Sequence, residues 1–206
     1  MNPVLFKEPV NLIITGVGGQ GNVLASQVLG RMLIRKGLRV TIGETYGLSQ
    51  RGGAVMSQVR ISTQKTYGPM IPQGRADLVA GLEPLEVLRT LGHYGRPDIR
   101  VLTNDRPVYP INVLSGNSVY PQTELIQQHL GELTRKLWWL PITREALELG
   151  QAILANMVMV GALIGTGLLP LKVEDFSPLA RDLWDPGRAE LNIRAIEKGV
   201  RLVQSA

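Results

Sequence analysis

Asn11-Leu-Ile-Ile-Thr15 runs straight into Gly16-Val-Gly-Gly-Gln-Gly21, and Asn22 opens a helical pattern that reaches Lys36. The first segment is short, apolar and rich in β-branched residues, which predicts a buried strand of a parallel sheet. The last places Val23, Leu24, Val28, Leu29, Met32 and Leu33 on one face of a helix, with Gly37 as its stop. Arg39-Val-Thr-Ile-Gly43 is a second strand. Together they predict a β-α-β unit whose right-handed crossover lays the helix on one face of a parallel sheet.

Outward from this unit, residues 45–53 are a polar, glycine-rich loop, and residues 54–62 alternate as a strand does, with Val55, Ser57, Val59 and Ile61 on one side. Residues 66–73 carry Gly68, Pro69 and Pro72 and are irregular. Strands are expected at 77–81 and 100–103. A helix starting at Glu83-Pro84 lies between them, with proline tolerated in its first turn. After the proline-bearing stretch 106–121, helices are expected at 122–130, 144–149, 151–163 and 188–203. Trp138-Trp139 lies in an apolar segment of core or interface character. The expectation is a Rossmann-like three-layer α/β/α domain spanning 1–206. Its mostly parallel core covers about 10–165, with a helical C-terminal layer over about 166–206.

Composition narrows the chemistry. The 206 residues contain no cysteine and two histidines, His93 and His129, far apart in sequence. A disulfide framework, a thiolate-held zinc or iron–sulfur site and a thiol nucleophile are excluded, and a Ser-His-Asp triad has little to draw on. The two histidines read as turn and helix-surface residues. Phe 2, Tyr 5 and Trp 3 leave the core to aliphatic side chains. The net charge of +5 is spread without a run of three basic residues, which fits a solvated surface or one that attracts anions better than it fits nucleic-acid binding. Residues 1–9 lack the apolar run of a signal peptide, and 152–171, although nearly uncharged, hold Asn156, three glycines and Pro170. A buried helix fits that stretch better than a membrane span, and a cytoplasmic setting is expected.

Two loops carry the functional signal. Gly16, Gly18, Gly19, Gln20 and Gly21 follow a strand and open a helix, the context in which a glycine turn admits a pyrophosphate to a helix N-terminus. Glu44, at the end of the second strand, would then take a ribose, as in nicotinamide or flavin proteins. The alternative is that the glycines only allow strand and helix to pack closely. Arg51, Gly52 and Gly53 follow the second strand, so both loops are expected at the carboxyl edge of the sheet. There Arg51 would meet an anion or a second backbone, unless it is a solvated turn residue. Asn156, inside the apolar helix, needs a hydrogen-bond partner and reads as a structural anchor or as part of an interface site.

In order, Gly-Val-Gly-Gly-Gln-Gly (16–21), Tyr-Gly-Leu-Ser-Gln-Arg-Gly-Gly (46–53), Ser-Gln-Val-Arg-Ile-Ser (57–62), Pro69 to Pro72 and Ala-Gly-Leu-Glu-Pro-Leu-Glu-Val-Leu (80–88) resemble the gamma-type domain of 2-oxoacid:ferredoxin oxidoreductases. Gln-Arg-Gly-Gly, and Asn-Met-Val-Met-Val-Gly-Ala-Leu (156–163), are most similar to the small subunit of the indolepyruvate members. The resemblance covers roughly residues 10–165. It implies a complex that oxidatively decarboxylates a 2-oxoacid to an acyl-CoA on thiamine diphosphate and magnesium, passing electrons through iron–sulfur clusters to ferredoxin. It also implies a larger catalytic subunit that carries those groups, because this sequence has neither the thiolates nor a Gly-Asp-Gly diphosphate motif. The two glycine loops are expected to shape the cleft that receives coenzyme A or the 2-oxoacid, or to pack at the subunit interface, and no catalytic residue or metal ligand is expected here.

Overall fold

The computed structural model describes residues 3–46, 53–109 and 111–205. Among the described residues six strands form one sheet: β1 (Val10–Val17), β2 (Arg39–Tyr46), β3 (Ala54–Ser62), β4 (Leu78–Gly81), β5 (Arg100–Asn104) and β6 (Lys136–Leu140). Eight α-helices among the same residues accompany it: α1 (Asn22–Arg35), α2 (Pro84–Tyr94), α3 (Ile111–Leu114), α4 (Thr123–Leu133), α5 (Ile142–Glu148), α6 (Ala155–Gly165), α7 (Ser177–Leu183) and α8 (Pro186–Gln204).

The strand order is β2-β3-β1-β4-β5-β6. β1, β4, β5 and β6 pair in parallel, whereas β3 is antiparallel to both β1 and β2. Chain length explains the exception. The link from Tyr46 to Ala54 is short, and a parallel return needs a crossover of about a dozen residues or more. The first β-α-β unit therefore forms as expected but is split, with β3 inserted between its two strands.

Successive residues on each strand alternate between two cores. Leu12, Ile14, Ala80, Leu102 and Leu140 face the layer of α1, α6 and α8, while Ile13, Val79 and Val101 face α2 and α4. β6 follows the same rule: Trp138 packs against the first core and Leu137 and Trp139 against the second. The paired tryptophans are thus the two faces of one strand.

The apolar stretch at 152–171 breaks into a 3₁₀ turn (Ala152–Leu154) and α6, and no helix among the described residues is long and apolar enough to cross a membrane. α6 is buried on nearly all sides because α8 lies directly against it. A Cβ on Gly161 would stand 2.0 Å from the Ile196 carbonyl oxygen, and one on Gly199 2.0 Å from that of Val158. Only glycine permits that approach. The C-terminal helices therefore belong to the larger core: Ile196 and Val203 are buried with Met157 and Val160.

Candidate functional site at the carboxyl edge

β1 leads through α1 toward β2 on one side, and β4 leads through α2 toward β5 on the other. The two crossovers diverge between β1 and β4, and in open α/β sheets that divergence leaves a crevice at the carboxyl ends of the strands. Gly16, Gly18, Gly19, Gln20 and Gly21 lie there. The second loop does meet the first: the Gly18 N–H donates to the Gly53 carbonyl at 2.8 Å. Arg51 and Gly52 lie outside the described residues.

The glycine turn is occupied by its own side chains. Gln20 folds back over it, accepting from the Val17 N–H at 2.7 Å through Oε1 and donating to the Leu82 carbonyl at 2.9 Å through Nε2. One amide thus ties the end of β1 to the end of β4. Gly21 is the N-cap of α1 in the left-handed region, with no side-chain cap on the helix. A Cβ there would stand 2.2 Å from Asn156 Nδ2, so α6 plants its single polar side chain on the start of α1.

Glu44 is not placed as a ribose ligand of this turn. It pairs with Ser57 of β3, which pairs with Ile14 of β1. Two strand spacings, roughly 10 Å, separate it from β1. The inserted β3 removes the adjacency that a nicotinamide or flavin fingerprint relies on.

A cleft of about 470 Å³ opens beside the turn, lined by Gly19, Gln20, Arg106, Pro107, Val108, Thr143 and the start of α6. Its far wall is fastened from beneath. Glu83, fully buried at the N-cap of α2, accepts from the Glu86 N–H at 2.8 Å, from the Val108 N–H at 3.4 Å and from the Tyr120 hydroxyl. Burial, together with the Glu83 carboxylate, pushes the Tyr120 pKa far above its ordinary value, so this hydroxyl stays a donor. Tyr109 stacks edge-on against Tyr120 and remains half exposed. Asn104, at the end of β5, holds the next wall: Nδ2 donates to Thr143 Oγ1 at 2.8 Å, and Oδ1 accepts from the Thr143 N–H at 3.0 Å. Glu83, Tyr120 and Asn104 were not singled out in the sequence. The signal available was the Glu-Pro start of α2, where a carboxylate at the N-cap has a standard task.

His93 ends α2 and is exposed, and His129 lies on the surface of α4, 3.6 Å from Glu132. Neither approaches the cleft. Among the described residues no group of three His, Cys, Asp or Glu is arranged to hold a metal. With no cysteine in the sequence, this donor set does not fit iron–sulfur clusters, and the self-filled glycine turn does not fit a diphosphate without displacement of Gln20.

Comparison with known proteins bears on the same region. Residues 11–202 match the model of the family described as pyruvate ferredoxin/flavodoxin oxidoreductase. The chain belongs to this family. Indolepyruvate oxidoreductase subunit IorB of Thermococcus kodakarensis is 36% identical over 192 residues, covering 93% of this chain and 94% of its own. Pyruvate oxidoreductase subunit PORC of Thermotoga maritima superposes with a TM-score of 0.70 over 95% of this chain and 97% of its own, at 20% identity. A 2-oxoglutarate:ferredoxin oxidoreductase from Magnetococcus marinus superposes with a TM-score of 0.75 at 21% identity. That match covers 97% of this chain but 32% of the other, so the same fold occurs there as one unit of a longer polypeptide. The family match reaches residue 202, beyond the stretch in which motifs are recognisable by eye.

Proposed function

We propose that this chain is the small, cluster-free subunit of a 2-oxoacid:ferredoxin oxidoreductase acting on indolepyruvate or another arylpyruvate. The carrying observation is the 36% identity to an indolepyruvate oxidoreductase subunit across nearly the whole of both chains. The oxidative decarboxylation, the thiamine diphosphate with its magnesium, the iron–sulfur clusters and the delivery of electrons to ferredoxin belong to a larger catalytic subunit.

This chain's own residues shape the cleft. Gln20 fixes the glycine turn, Glu83 and Asn104 fix its walls, and Arg106 stands at the rim as the one charged side chain among the described residues of the lining. In this proposal Gly16, Gly18, Gly19, Gln20, Gly21 and Gly53, with Arg51 and Gly52 between the strands, form the face turned toward the catalytic subunit. Coenzyme A is the ligand that would reach it.

The test is reconstitution with the large cysteine-rich, thiamine-binding chain from the same source. Indolepyruvate-dependent reduction of ferredoxin is expected from the pair and absent from the isolated chain. Turnover by the pure 206-residue chain would sink the proposal, as would an active large chain whose rate and stability ignore this one.

A further inference from the structure

Beside the cleft, on the other side of Ile153, lies a second depression of about 260 Å³, lined by Leu24, Gln151, Leu154, Asn156, Trp184, Arg188, Leu191 and Asn192. Asn156 is 3% exposed, and among the described residues nothing hydrogen-bonds its side-chain amide. Its polar atoms are not sealed in the core; they open onto the depression, where an incoming group can reach them. The amide is set against Gly21, at a helix start that has no side-chain cap, and no described group accepts from the N–H of Val23 or Leu24. The Asn156 amide and the positive end of a 14-residue helix therefore lie beside one depression. Among the described residues its lining contains Arg188, which also pairs with Asp185 at 3.5 Å, and no carboxylate. Leu24 and Ile153, 38% and 49% exposed, flank it with apolar surface.

Resting on the subunit assignment above, we propose that this niche receives an Asp or Glu side chain of the catalytic subunit. The Asn156 amide and the first-turn N–H groups of α1 hold the carboxylate, Arg188 sits at the rim, and Leu24 and Ile153 are covered by the apolar residues around it. The charge pattern favours a carboxylate over a neutral carbonyl: Arg188 and the α1 N-terminus are positive, Gln151, Asn156 and Asn192 are neutral amides, and the described lining holds no carboxylate, on a chain of net charge +5.

The test is the affinity of the wild-type chain, Asn156→Ala and Asn156→Asp for the catalytic subunit, with thermal unfolding of each chain alone. Asn156→Ala is expected to bind roughly 10- to 100-fold more weakly, as befits hydrogen bonds to a charged group. Asn156→Asp is expected to bind more weakly still, while Asn156→Ala alone melts no lower than wild type. Wild-type affinity in either variant overturns the proposal, and so does a lowered melting temperature of Asn156→Ala, which would make Asn156 an internal anchor. Self-association of the wild-type chain that Asn156→Ala abolishes, with binding to the catalytic subunit unchanged, would assign the niche to a second copy and overturn it too. Failure of the wild-type chain to bind the catalytic subunit would sink the subunit assignment itself. Tight wild-type binding with indifferent variants would sink only the niche.

Discussion

Two polar clusters, one at each edge of the sheet, are held in different ways. At the amino edge Asp77 is 3% exposed and fully engaged: it accepts from the Asn11 N–H at 2.9 Å and from Arg96 Nη1 at 2.9 Å, and it pairs with Lys7. Asn11 completes the knot, donating to the Arg75 carbonyl and accepting from Arg60 Nε. At the carboxyl edge no described residue hydrogen-bonds the Asn156 amide, which opens onto a depression beside the uncapped start of α1. The Asp77 cluster keeps its donors and acceptors within the domain, whereas the Asn156 amide is open to a group from a second molecule. On the function proposed above, the amino edge closes the domain and the carboxyl edge faces the catalytic subunit.

Breaking the closed end should have the largest effect. Asp77→Asn leaves Lys7 and Arg96 without their shared carboxylate. The domain should lose roughly 3 kcal/mol, toward the lower end expected for a broken buried pair because both cations keep access to water. Chemical denaturation of the isolated chain measures this, and binding to the catalytic subunit under conditions where the variant is folded should be unchanged. Next comes Glu83→Ala, which frees Val108 and Tyr120 from beneath the cleft wall. A stability loss of about 1–3 kcal/mol is expected, with faster amide exchange at Val108, Tyr109 and Tyr120. Intact exchange protection there would mean that the wall holds itself up.

The strands and their faces were readable because alternation and helical spacing survive in a core made almost wholly of aliphatic residues. β3 matched residue for residue, yet its direction is not written in its pattern. It follows from the shortness of the link after Tyr46, and from that direction follows the displacement of Glu44. β6 escaped because two adjacent tryptophans read as one apolar block, although they serve opposite faces. α7 and the turn before it carry no motif and are fixed by contact with α8. At the site, the glycines announced a turn but not its content: Gln20 sits inside the motif and fills the space the motif suggests for a ligand. Asn156 was legible as a polar residue in need of a partner. That no described residue supplies that partner shows only in three dimensions.

Two smaller effects sharpen the contrast. Gln20→Ala removes one acceptor and one donor spanning β1 and β4, and should cost about 1–2 kcal/mol in the isolated chain. A variant that gains affinity for sulfate at the emptied turn would show that Gln20 holds the place of an anion. Smallest is the brace of Lys198 to Glu145 and Glu148, which joins α8 to α5 away from both edges. The hydrogen bonds that Lys198 donates to Glu145 and Glu148 raise its pKa, and accepting from Lys198 lowers that of Glu148. The brace is therefore complete between about pH 4.5 and pH 10.5. It weakens as pH falls below the first limit, where Glu148 protonates, and as pH rises past the second, where Lys198 deprotonates. Lys198→Met should flatten the pH dependence of unfolding at both limits while leaving mid-range stability within roughly 0.5 kcal/mol.

Hydrogen–deuterium exchange of the chain, alone and bound to the catalytic subunit, separates the two edges in one experiment. Protection on binding is expected at residues 18–25, 106–109 and 151–156, with residues 74–77 and 96–99 exchanging as they do in the free chain. Protection confined to the amino edge, with the carboxyl edge exchanging unchanged, would contradict the assignment of the carboxyl edge as the functional face.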